Sequence, residues 1–267
     1  MSIPYAMINA YGDGAFTGNP AAVLVIEQDQ LTDHQLQQIA TEMNVSETAF
    51  IYKDAMRNHF QLRWFTPQVE VDLCGHATLA SAYYLYHLGI VPTDATIHFH
   101  TLSGELVINQ CNGVLRMRLP QEIAVACSAP SDLITALGVI PRVVSKNRLD
   151  YIVELADEQD VRELQVELSL VASLEARGLV VTSRATDPAY DIVCRTFYPR
   201  IGVNEDPVTG SAFCALAPYW NKRLRGHSLL RVVQLSSRGG SATLWLEDED
   251  VIQEGNCFLW AEGILHI

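Results

Sequence analysis

Hydrophobic and polar positions follow two different periods along this chain, and the two alternate irregularly. The short apolar or alternating runs typical of strands in the first half are Tyr5–Asn9, Ala22–Glu27, Thr48–Lys53 and Phe60–Phe65. Apolar residues recur at helical spacing from Leu36 to Met43, after Thr32 or Asp33 as an N-cap. Strands and helices mixed in this way predict an α+β fold.

Two further segments are typical of helices that are apolar on nearly every side. The first is Gly75–Leu88, which Gly89 and Pro92 bring to an end, and the second is Thr209–Leu224. Because a helix that is apolar all round is buried, we expect each of them to lie at the centre of a domain with strands wrapped around it. The acidic segment Asp157–Glu175 is expected instead to be a solvated helix or loop.

The two halves of the sequence echo each other. Arg63-Trp-Phe65-Thr-Pro67 is followed by the Asp72-Leu-Cys-Gly-His-Ala77 segment. Arg195-Thr-Phe197-Tyr-Pro199 is followed by the Asp206-Pro-Val-Thr-Gly-Ser-Ala212 segment, about half of the 267-residue chain later. An ordered repeat of this kind predicts two similar domains, with a break beginning at Leu119-Pro120.

Composition restricts the class of protein. The chain is 49% apolar and 18% charged, which suits a folded protein with a sizeable core. Its net charge of −13 disfavours binding to nucleic acid, and it has no apolar run long enough to span a membrane. The first residues lack the pattern of a signal peptide, and the six cysteines show no paired spacing. We therefore expect a reduced, cytoplasmic protein.

The starts of the two buried helices are candidate anion sites. Gly75-His76 and Gly210-Ser211 form their first turns, where backbone amides have no partner within the helix. If the domains face each other about a pseudo-twofold axis, both starts meet in one cleft that suits a small carboxylate. For one helix alone, a glycine for close packing and a capping Ser211 would be the simpler interpretation, but the duplication favours an anion site.

Four further residues near these helices are candidates for chemistry. Glu47 lies where a helix gives way to an apolar strand; burial there would suit a carboxyl group to proton transfer, although a capping acid fits equally well. Asp72 and Asp206 precede the helices and could cap them, in which case they need no further role. Cys74 directly precedes a helix start, which lowers a thiol pKa, so it is a possible acid or base. The second half has no matching thiol, so a two-thiol proton shuttle is incomplete.

Motifs for metal and cofactor binding are weak or absent. His98-Phe-His100 places two imidazoles on one strand face without a nearby acidic motif, which is a weak metal signal. The Gly12–Gly18 segment does not match a dinucleotide fingerprint, and the sequence has no P-loop and no hydrolase nucleophile elbow. We predict neither a metal nor an organic cofactor.

Five motifs in order resemble those of the PhzF-like phenazine biosynthesis family. They are Gly18-Asn19-Pro20-Ala21-Ala22-Val23, Met43-Asn44-Val45-Ser46-Glu47-Thr48, Phe65-Thr66-Pro67, Gly75-His76-Ala77-Thr78 and Glu205-Asp206-Pro207-Val208-Thr209-Gly210-Ser211-Ala212. The resemblance implies a diaminopimelate-epimerase-like fold of two similar domains, each a mixed sheet or barrel around a central helix, with the active site between them. The last strand returns to the first domain in that fold. The implied domains are 1–118 with 258–267, around helix 75–88, and 119–257, around helix 209–224.

The resemblance also implies an activity. Characterised relatives isomerise trans-2,3-dihydro-3-hydroxyanthranilate without metal or organic cofactor, and they are often homodimers. By motif match, Glu47 would transfer the proton, supported by His76, Asp206 and Ser211. The remaining candidates, which would contact the substrate, are Gly75, Gly210, Asp72, Cys74 and Asn19. The expected function is a cofactor-independent isomerase of a small carboxylated metabolite.

Two other functions remain open from the residues alone. A racemase or epimerase of an amino or imino acid would use Cys74 and Glu47 as acid and base on opposite faces of the substrate. A small-molecule binding protein without activity would retain the fold but not need the whole set of site residues. The substrate is also open, because the sequence departs from the family that it resembles. The phenazine enzymes of that family have a small apolar residue where Cys74 stands, and its members tend to carry Gly-Arg-Pro where this chain has Ser236–Gly240.

Overall fold

Strands and helices are mixed throughout the chain in the computed structural model, which describes residues 1–224 and 228–267. The predicted α+β class is therefore confirmed. The chain divides into two compact units, Met1–Leu119 with Gln253–Ile267 and Pro120–Ile252. The closing segment of the first unit starts earlier than the predicted Phe258, and Gln253 Oε1 accepts a hydrogen bond from Tyr11 of that unit at 2.8 Å.

The elements are as follows. In chain order the strands are β1 (Ser2–Ala10), β2 (Asn19–Ile26), β3 (Glu47–Lys53), β4 (His59–Phe65), β5 (Glu70–Val71), β6 (Ile97–Thr101), β7 (Gly104–Cys111), β8 (Val114–Pro120), β9 (Val125–Ala126), β10 (Val143–Lys146), β11 (Asp150–Glu154), β12 (Gly178–Arg184), β13 (Ile192–Phe197), β14 (Leu230–Gln234), β15 (Gly240–Glu247), β16 (Asp250–Gly255) and β17 (Cys257–His266). The helices are α1 (Asp33–Met43), α2 (Gly75–His87), α3 (Ser131–Leu137), α4 (Glu158–Glu163), α5 (Leu168–Ser173) and α6 (Gly210–Arg223). None of these helices has the length and apolar character needed to cross a membrane, as judged on the described residues.

Strand pairing follows the same order in both units. In the first unit, β2 and β3 are parallel, β3 and β4 antiparallel, β4 and β6 parallel, and β6 and β7 antiparallel. In the second unit, the series β11, β12, β13, β14 and β15 pairs in the same alternation of parallel and antiparallel. This shared topology agrees with the sequence repeat and with an internal duplication.

Helices occupy the crossovers between parallel strands, as chain geometry requires. In the first unit, α1 connects β2 to β3, and α2 lies between β4 and β6. In the second unit, α4 and α5 lie between β11 and β12, and α6 lies between β13 and β14. Both α2 and α6 are buried along nearly their whole length, so each is the central helix of its unit.

Local signals determine where α1 begins and ends. Thr32 and Gln35 form a capping box: Gln35 N donates to Thr32 Oγ1 at 3.3 Å and Thr32 N donates to Gln35 Oε1 at 3.0 Å. The helix ends at Asn44, whose φ of 49° places it in the left-handed region that favours asparagine and glycine. This turn delivers the chain directly to Glu47, the first residue of β3.

The expectation of a solvated segment at Asp157–Glu175 is wrong. The segment forms two short helices and buries four apolar side chains in the core of the second unit, two within the helices and two at their C-caps, and these are Val161, Val171, Leu164 and Leu174. The segment is acidic because its outer face is charged, but its apolar residues cover the sheet as those of α1 do in the first unit. The many charged residues in this short segment therefore hid, in the sequence, the fact that the crossover packs against the core.

Candidate active site

Glu47 lies at the start of a strand in the middle of the first unit. The parallel register of β2 and β3 sets Glu47 opposite Ala21, which is fully buried. The carboxylate is only 16% exposed, although it begins a strand whose next residues are almost all buried. A carboxylate held this far from water requires polar neighbours, since burying an unpaired charge is costly.

His76 supplies one such neighbour from the first turn of α2. Its Nε2 lies 3.2 Å from Glu47 Oε2, and the imidazole is 6% exposed. The approach is close but is not aligned as a hydrogen bond. Burial lowers the pKa of His76 to about 3, because desolvation penalises the charged ring. His76 is therefore neutral at physiological pH.

The tautomer of His76 follows from its contacts on the other side. Ser46 Oγ donates to Asn19 Oδ1 at 3.1 Å, which directs the amide nitrogen of Asn19 toward His76. Asn19 Nδ2 then lies 3.3 Å from His76 Nδ1 and donates to it. With Nδ1 as acceptor, the proton of the neutral ring lies on Nε2, which faces Glu47. This chain of contacts places the N–H group of His76 on the side of the ring that faces the carboxylate.

Cys74 completes the group on the same side of the imidazole as Asn19. Its thiol Sγ lies 3.5 Å from His76 Nδ1, and the residue is 6% exposed. One acid–base atom from each of Glu47, Cys74 and His76 lies within 4.8 Å of the others. A carboxylate, a thiol and an imidazole at these distances are also a donor set that suits a divalent metal. The structure therefore gathers the candidate groups of the first unit around one imidazole.

The start of α2 carries no side-chain cap. Its N-cap residue is Cys74, with φ −144° and ψ 104°, and the Cys74 side chain makes no capping hydrogen bond. The expected cap by Asp72 is therefore wrong: Asp72 is exposed, and its carbonyl oxygen accepts from Ser103 Oγ at 2.8 Å. The amides at Gly75 and His76 lie at the positive end of the helix dipole, which suits an anion.

Asp206 occupies a comparable position before α6 in the second unit. It is 9% exposed, and its Oδ2 accepts a hydrogen bond from the hydroxyl of Thr209. Thr209, not Asp206, is the N-cap residue of α6, and the Thr209 side chain makes no capping hydrogen bond. The expected capping role of Asp206 is thus corrected, because its carboxylate bonds to the threonine hydroxyl. Gly210 and Ser211 begin the helix, and Ser211 is half-buried.

Two residues that sequence reasoning missed hold this second group together. Gln234 is fully buried and donates through Nε2 to the Asp206 carbonyl at 2.6 Å and to Thr196 Oγ1 at 2.9 Å. Its Oε1 accepts from the Thr209 amide at 3.1 Å. Thr196 Oγ1 lies 2.8 Å from Thr209 Oγ1. The available signal was a glutamine ending the apolar run of β14, where a buried amide needs several partners.

The sequence-predicted residues thus fall into two sets. The first unit brings Asn19, Glu47, Cys74 and His76 together around the start of α2, with Gly75 in the helix. The second unit places Asp206 beside Thr209, with Gly210 and Ser211 following at the start of α6. Asp72 stands apart at the surface of the first unit. The predicted cleft between the domains stays a prediction.

Comparisons with known proteins match nearly the whole chain. A sequence profile described as phenazine biosynthesis-like protein matches residues 8–254. An uncharacterised isomerase of Halalkalibacterium halodurans is 42% identical over 96% of this chain and 95% of that protein. A crystal structure of a PhzF-family phenazine biosynthesis protein of Enterococcus faecalis is 37% identical, with a TM-score of 0.94 over 100% of both chains.

A more distant match extends the fold beyond these relatives. A probable proline racemase of Agrobacterium radiobacter has a TM-score of 0.66 at 11% identity, covering 99% of this chain and 92% of that one. At this identity the likeness concerns the fold alone. It agrees with the predicted diaminopimelate-epimerase-like architecture, in which a mixed sheet surrounds a central helix in each unit.

Proposed function

Since the chain belongs to the phenazine biosynthesis-like family, as its motifs predict, we propose that it is an isomerase that moves a proton between carbon atoms of a small carboxylated metabolite. Two further relatives, both from Pseudomonas aeruginosa, also bear the name isomerase, at 41% and 38% identity over the full chain. The single observation that carries the proposal is the contact of Glu47 with a neutral, buried His76.

Glu47 acts as the base and then as the acid in the proposed reaction. As a carboxylate it takes a proton from a carbon atom that neighbours an unsaturated or carboxylated centre, and it returns that proton to a second carbon of the same substrate. His76 stays neutral throughout and presents its Nε2 proton to Glu47, because protonating the buried ring is strongly disfavoured. Asn19 and Ser46 support this tautomer by holding Nδ1 as an acceptor.

The substrate carboxylate lies, in this proposal, at the start of α2. The N-cap residue Cys74 makes no side-chain cap there, and the helix dipole at the amides of Gly75 and His76 favours negative charge. An anion in this position is next to Glu47 in the folded unit, because His76 belongs to the same helical turn and contacts the carboxylate. The amides would also stabilise negative charge that develops when the carbon loses its proton.

The geometry favours an isomerase over a two-base racemase. Acid and base on opposite faces of one carbon stand roughly 6–7 Å apart, since each reacting atom lies about 3–3.5 Å from that carbon. Glu47 and Cys74 instead present acid–base atoms within 4.8 Å of each other, on the same imidazole. This spacing suits groups that act on one face, so we assign Cys74 a supporting role.

Asp206 and Ser211 enter the proposal through the family motif. We propose that they orient polar substituents of the same substrate, with Asp206 held in place by Thr209. We also propose that catalysis needs neither metal nor organic cofactor. Chelation followed by dialysis would leave turnover unchanged if this is right, whereas a loss that Zn²⁺ restores would contradict it. The homodimer stays a prediction, which sedimentation would check.

The experiment is deuterium uptake from heavy water into a panel of small carboxylates. The panel includes trans-2,3-dihydro-3-hydroxyanthranilate, and products are also separated, because a shielded proton can return without exchange. Wild type is compared with Glu47→Gln and with Glu42→Gln, an exposed glutamate of α1 that serves as the matched control.

The proposal is supported if wild type and Glu42→Gln incorporate deuterium into a panel member or form a new isomer, and Glu47→Gln does neither. Full activity in Glu47→Gln contradicts it. Tight binding of a panel member with neither exchange nor a new isomer would favour the non-catalytic binding protein instead.

A further inference from the structure

A second cluster of metal-binding side chains lies on the outer face of three neighbouring strands in the first unit. Strands β4 and β6 are parallel, with His59 opposite His98. Strands β6 and β7 are antiparallel, with His100 opposite Glu105. Because side chains alternate along a strand, His59, His98 and His100 share one face, while the intervening Phe60 and Phe99 are buried in the core. The β-sheet register therefore gathers three imidazoles and a carboxylate.

The contacts within this cluster are short. His59 Nδ1 lies 3.0 Å from His100 Nε2, and His98 Nδ1 lies 3.2 Å from Glu105 Oε1. The ring of His59 stacks on that of His98 with centroids 4.5 Å apart, and on that of His100 at 5.2 Å. Each of His59, His100 and Glu105 offers a ligand atom within 4.8 Å of the other two. The cluster is partly open: His98 is 31% and Glu105 45% exposed.

The nitrogen contact brings two ligand atoms from different strands together. His59 Nδ1 and His100 Nε2 lie 3.0 Å apart, and each histidine offers one ring nitrogen to the cluster. A lone pair on a neutral imidazole is the form in which histidine binds zinc, copper or nickel.

Negative charge surrounds the same nitrogens. Glu105 supplies a carboxylate in the cluster, and the carboxylate of Asp54 interacts electrostatically with His100. The pKa of Asp54 is lowered, mainly by a hydrogen bond from the Met56 amide, with the charge of His100 among the smaller causes. Gln61, from the same strand face as His59, also donates to Asp54 at 3.4 Å. These carboxylates offset the charge of a divalent cation.

We propose that His59, His100 and Glu105 bind a divalent transition-metal ion of the zinc class, with His98 positioning Glu105. Ligands around tetrahedral zinc at bond lengths of about 2.0–2.2 Å stand roughly 3.3–3.5 Å apart. His59 Nδ1 and His100 Nε2 are 3.0 Å apart, and the ligand atoms of the whole set lie within 4.8 Å of one another. The spacing around zinc falls between these two distances, so small side-chain rotations bring the ligands into position. Water completes the coordination on the exposed side.

The site would act on stability and not on the proton transfer at Glu47. Its ligands come from β4, β6 and β7, so a bound ion joins the strands that flank the crossover through α2. An ion that binds the folded state alone stabilises it, because the unfolded chain lacks the preformed ligand set. The alternative is a hydrogen-bonded imidazole pair that takes no ion, and the test separates the two.

The test is calorimetric titration of the chelator-treated full-length protein with ZnCl₂ near pH 7.5. The variants are His100→Gln, His59→Gln and Glu105→Gln, with His34→Gln as the matched control, since His34 is an exposed histidine of α1. A Cys74→Ser variant removes the thiol of the other metal-binding candidate group, Glu47–Cys74–His76. Unfolding temperatures with and without Zn²⁺ show that each variant folds and whether the ion stabilises it.

The expected result is Zn²⁺ binding by wild type, His34→Gln and Cys74→Ser with equal affinity. Binding weakens at least about tenfold in the three cluster variants, and His98→Gln weakens it by about 10–100-fold through loss of the Glu105 contact. In these variants the Zn²⁺-induced rise in unfolding temperature disappears together with the binding. Three results overturn the proposal: no binding by wild type, unchanged affinity in His59→Gln and His100→Gln, or loss of binding in Cys74→Ser alone.

Discussion

The starts of the two central helices have nearly the same backbone but different chemistry. Cys74 before α2 has φ −144° and ψ 104°, and Thr209 before α6 has φ −118° and ψ 98°. Both precede a glycine, and neither helix is capped by a side chain. At α2 the next side chain is His76, beside Glu47; at α6 it is Ser211, with Asp206 bonded to Thr209.

This difference shows how the two units of a duplicated fold can take different roles. The duplication keeps what the backbone supplies, namely a buried helix whose positive dipole end favours an anion. Side chains then differ freely, because they do not alter the packing of the helix. The first unit holds a carboxylate against a neutral imidazole, whereas the second has a hydrogen-bonded network centred on an amide, Gln234. We infer that acid–base chemistry belongs to the first unit and substrate orientation to the second.

The largest expected effect is that of Glu47→Gln on turnover. Glutamine keeps the size of the side chain but cannot exchange a proton, so kcat falls by about 10²–10⁴-fold while the protein stays folded. Steady-state kinetics on the substrate identified by the exchange panel would measure it, with Glu42→Gln as control. A fall in kcat of less than threefold would contradict the assignment of acid–base chemistry to the first unit.

Gln234→Leu tests the second unit by a loss of stability. The change leaves the Thr209 amide, the Thr196 hydroxyl and the Asp206 carbonyl without their present partner in a buried place. Each unpaired buried group costs about 1–3 kcal/mol, so we expect the free energy of unfolding to fall by about 3 kcal/mol. Urea unfolding would measure this change.

A milder control is Ser145→Ala, a buried serine of β10 in the same unit. We expect it to lower the free energy of unfolding less than Gln234→Leu does. Equal losses of unfolding free energy in the two variants would mean that the hydrogen bonds of Gln234 stabilise the second unit no more than the buried serine does.

The buried imidazole gives the first unit a characteristic dependence of stability on pH. The folded-state pKa of His76 is about 3, below the value of about 6.5 in the unfolded chain, so the unfolded state binds more protons between these values. The contribution of His76 is therefore fully present above about pH 6.5 and declines as pH falls toward 3. Between pH 7 and 5 the loss is about 2 kcal/mol.

Urea unfolding of wild type and His76→Gln over this range would test that dependence. The variant lacks the buried titrating group, so its stability should fall by less between pH 7 and 5. Parallel curves for the two proteins would show that His76 is not held neutral by burial.

Cys74→Ala has the smallest expected effect on activity. Cys74 lies at Nδ1 of the imidazole and Glu47 at Nε2, so removal of the thiol leaves the contact of Glu47 with His76 and the proton transfer in place. We expect kcat to fall by less than about tenfold. Loss of turnover comparable to that of Glu47→Gln would support the racemase alternative, in which the thiol is the second acid–base group.

Much of the fold was predictable from local patterns. The apolar segments at 75–88 and 209–224 locate α2 and α6 within a residue or two, because a helix buried on all sides leaves a strong signal. The sequence also predicts the start of α1, with Thr32 or Asp33 as the N-cap, and Thr32 takes that position. The motifs predict the family, which is confirmed.

Features that depend on distant pairing were not predictable. Asn19 and Ser46 meet only through the parallel register of β2 and β3, and Gln234 meets Thr196 only through that of β13 and β14. Asp72 and Asp206 precede their helices as caps do, yet the chain places Cys74 and Thr209 at the N-cap positions instead. Long-range strand register, which a single sequence does not display, decides these contacts.

The measurement that tests the central claim most directly follows a single carbon-bound proton. The substrate is labelled with deuterium at the carbon that loses it, and one turnover is followed in ordinary water with wild type and Glu47→Gln. The account predicts that wild type moves the label to the second carbon or releases it, and that Glu47→Gln leaves it in place. Transfer of the label by Glu47→Gln at the wild-type rate would contradict the account, because some group other than Glu47 would then carry the proton.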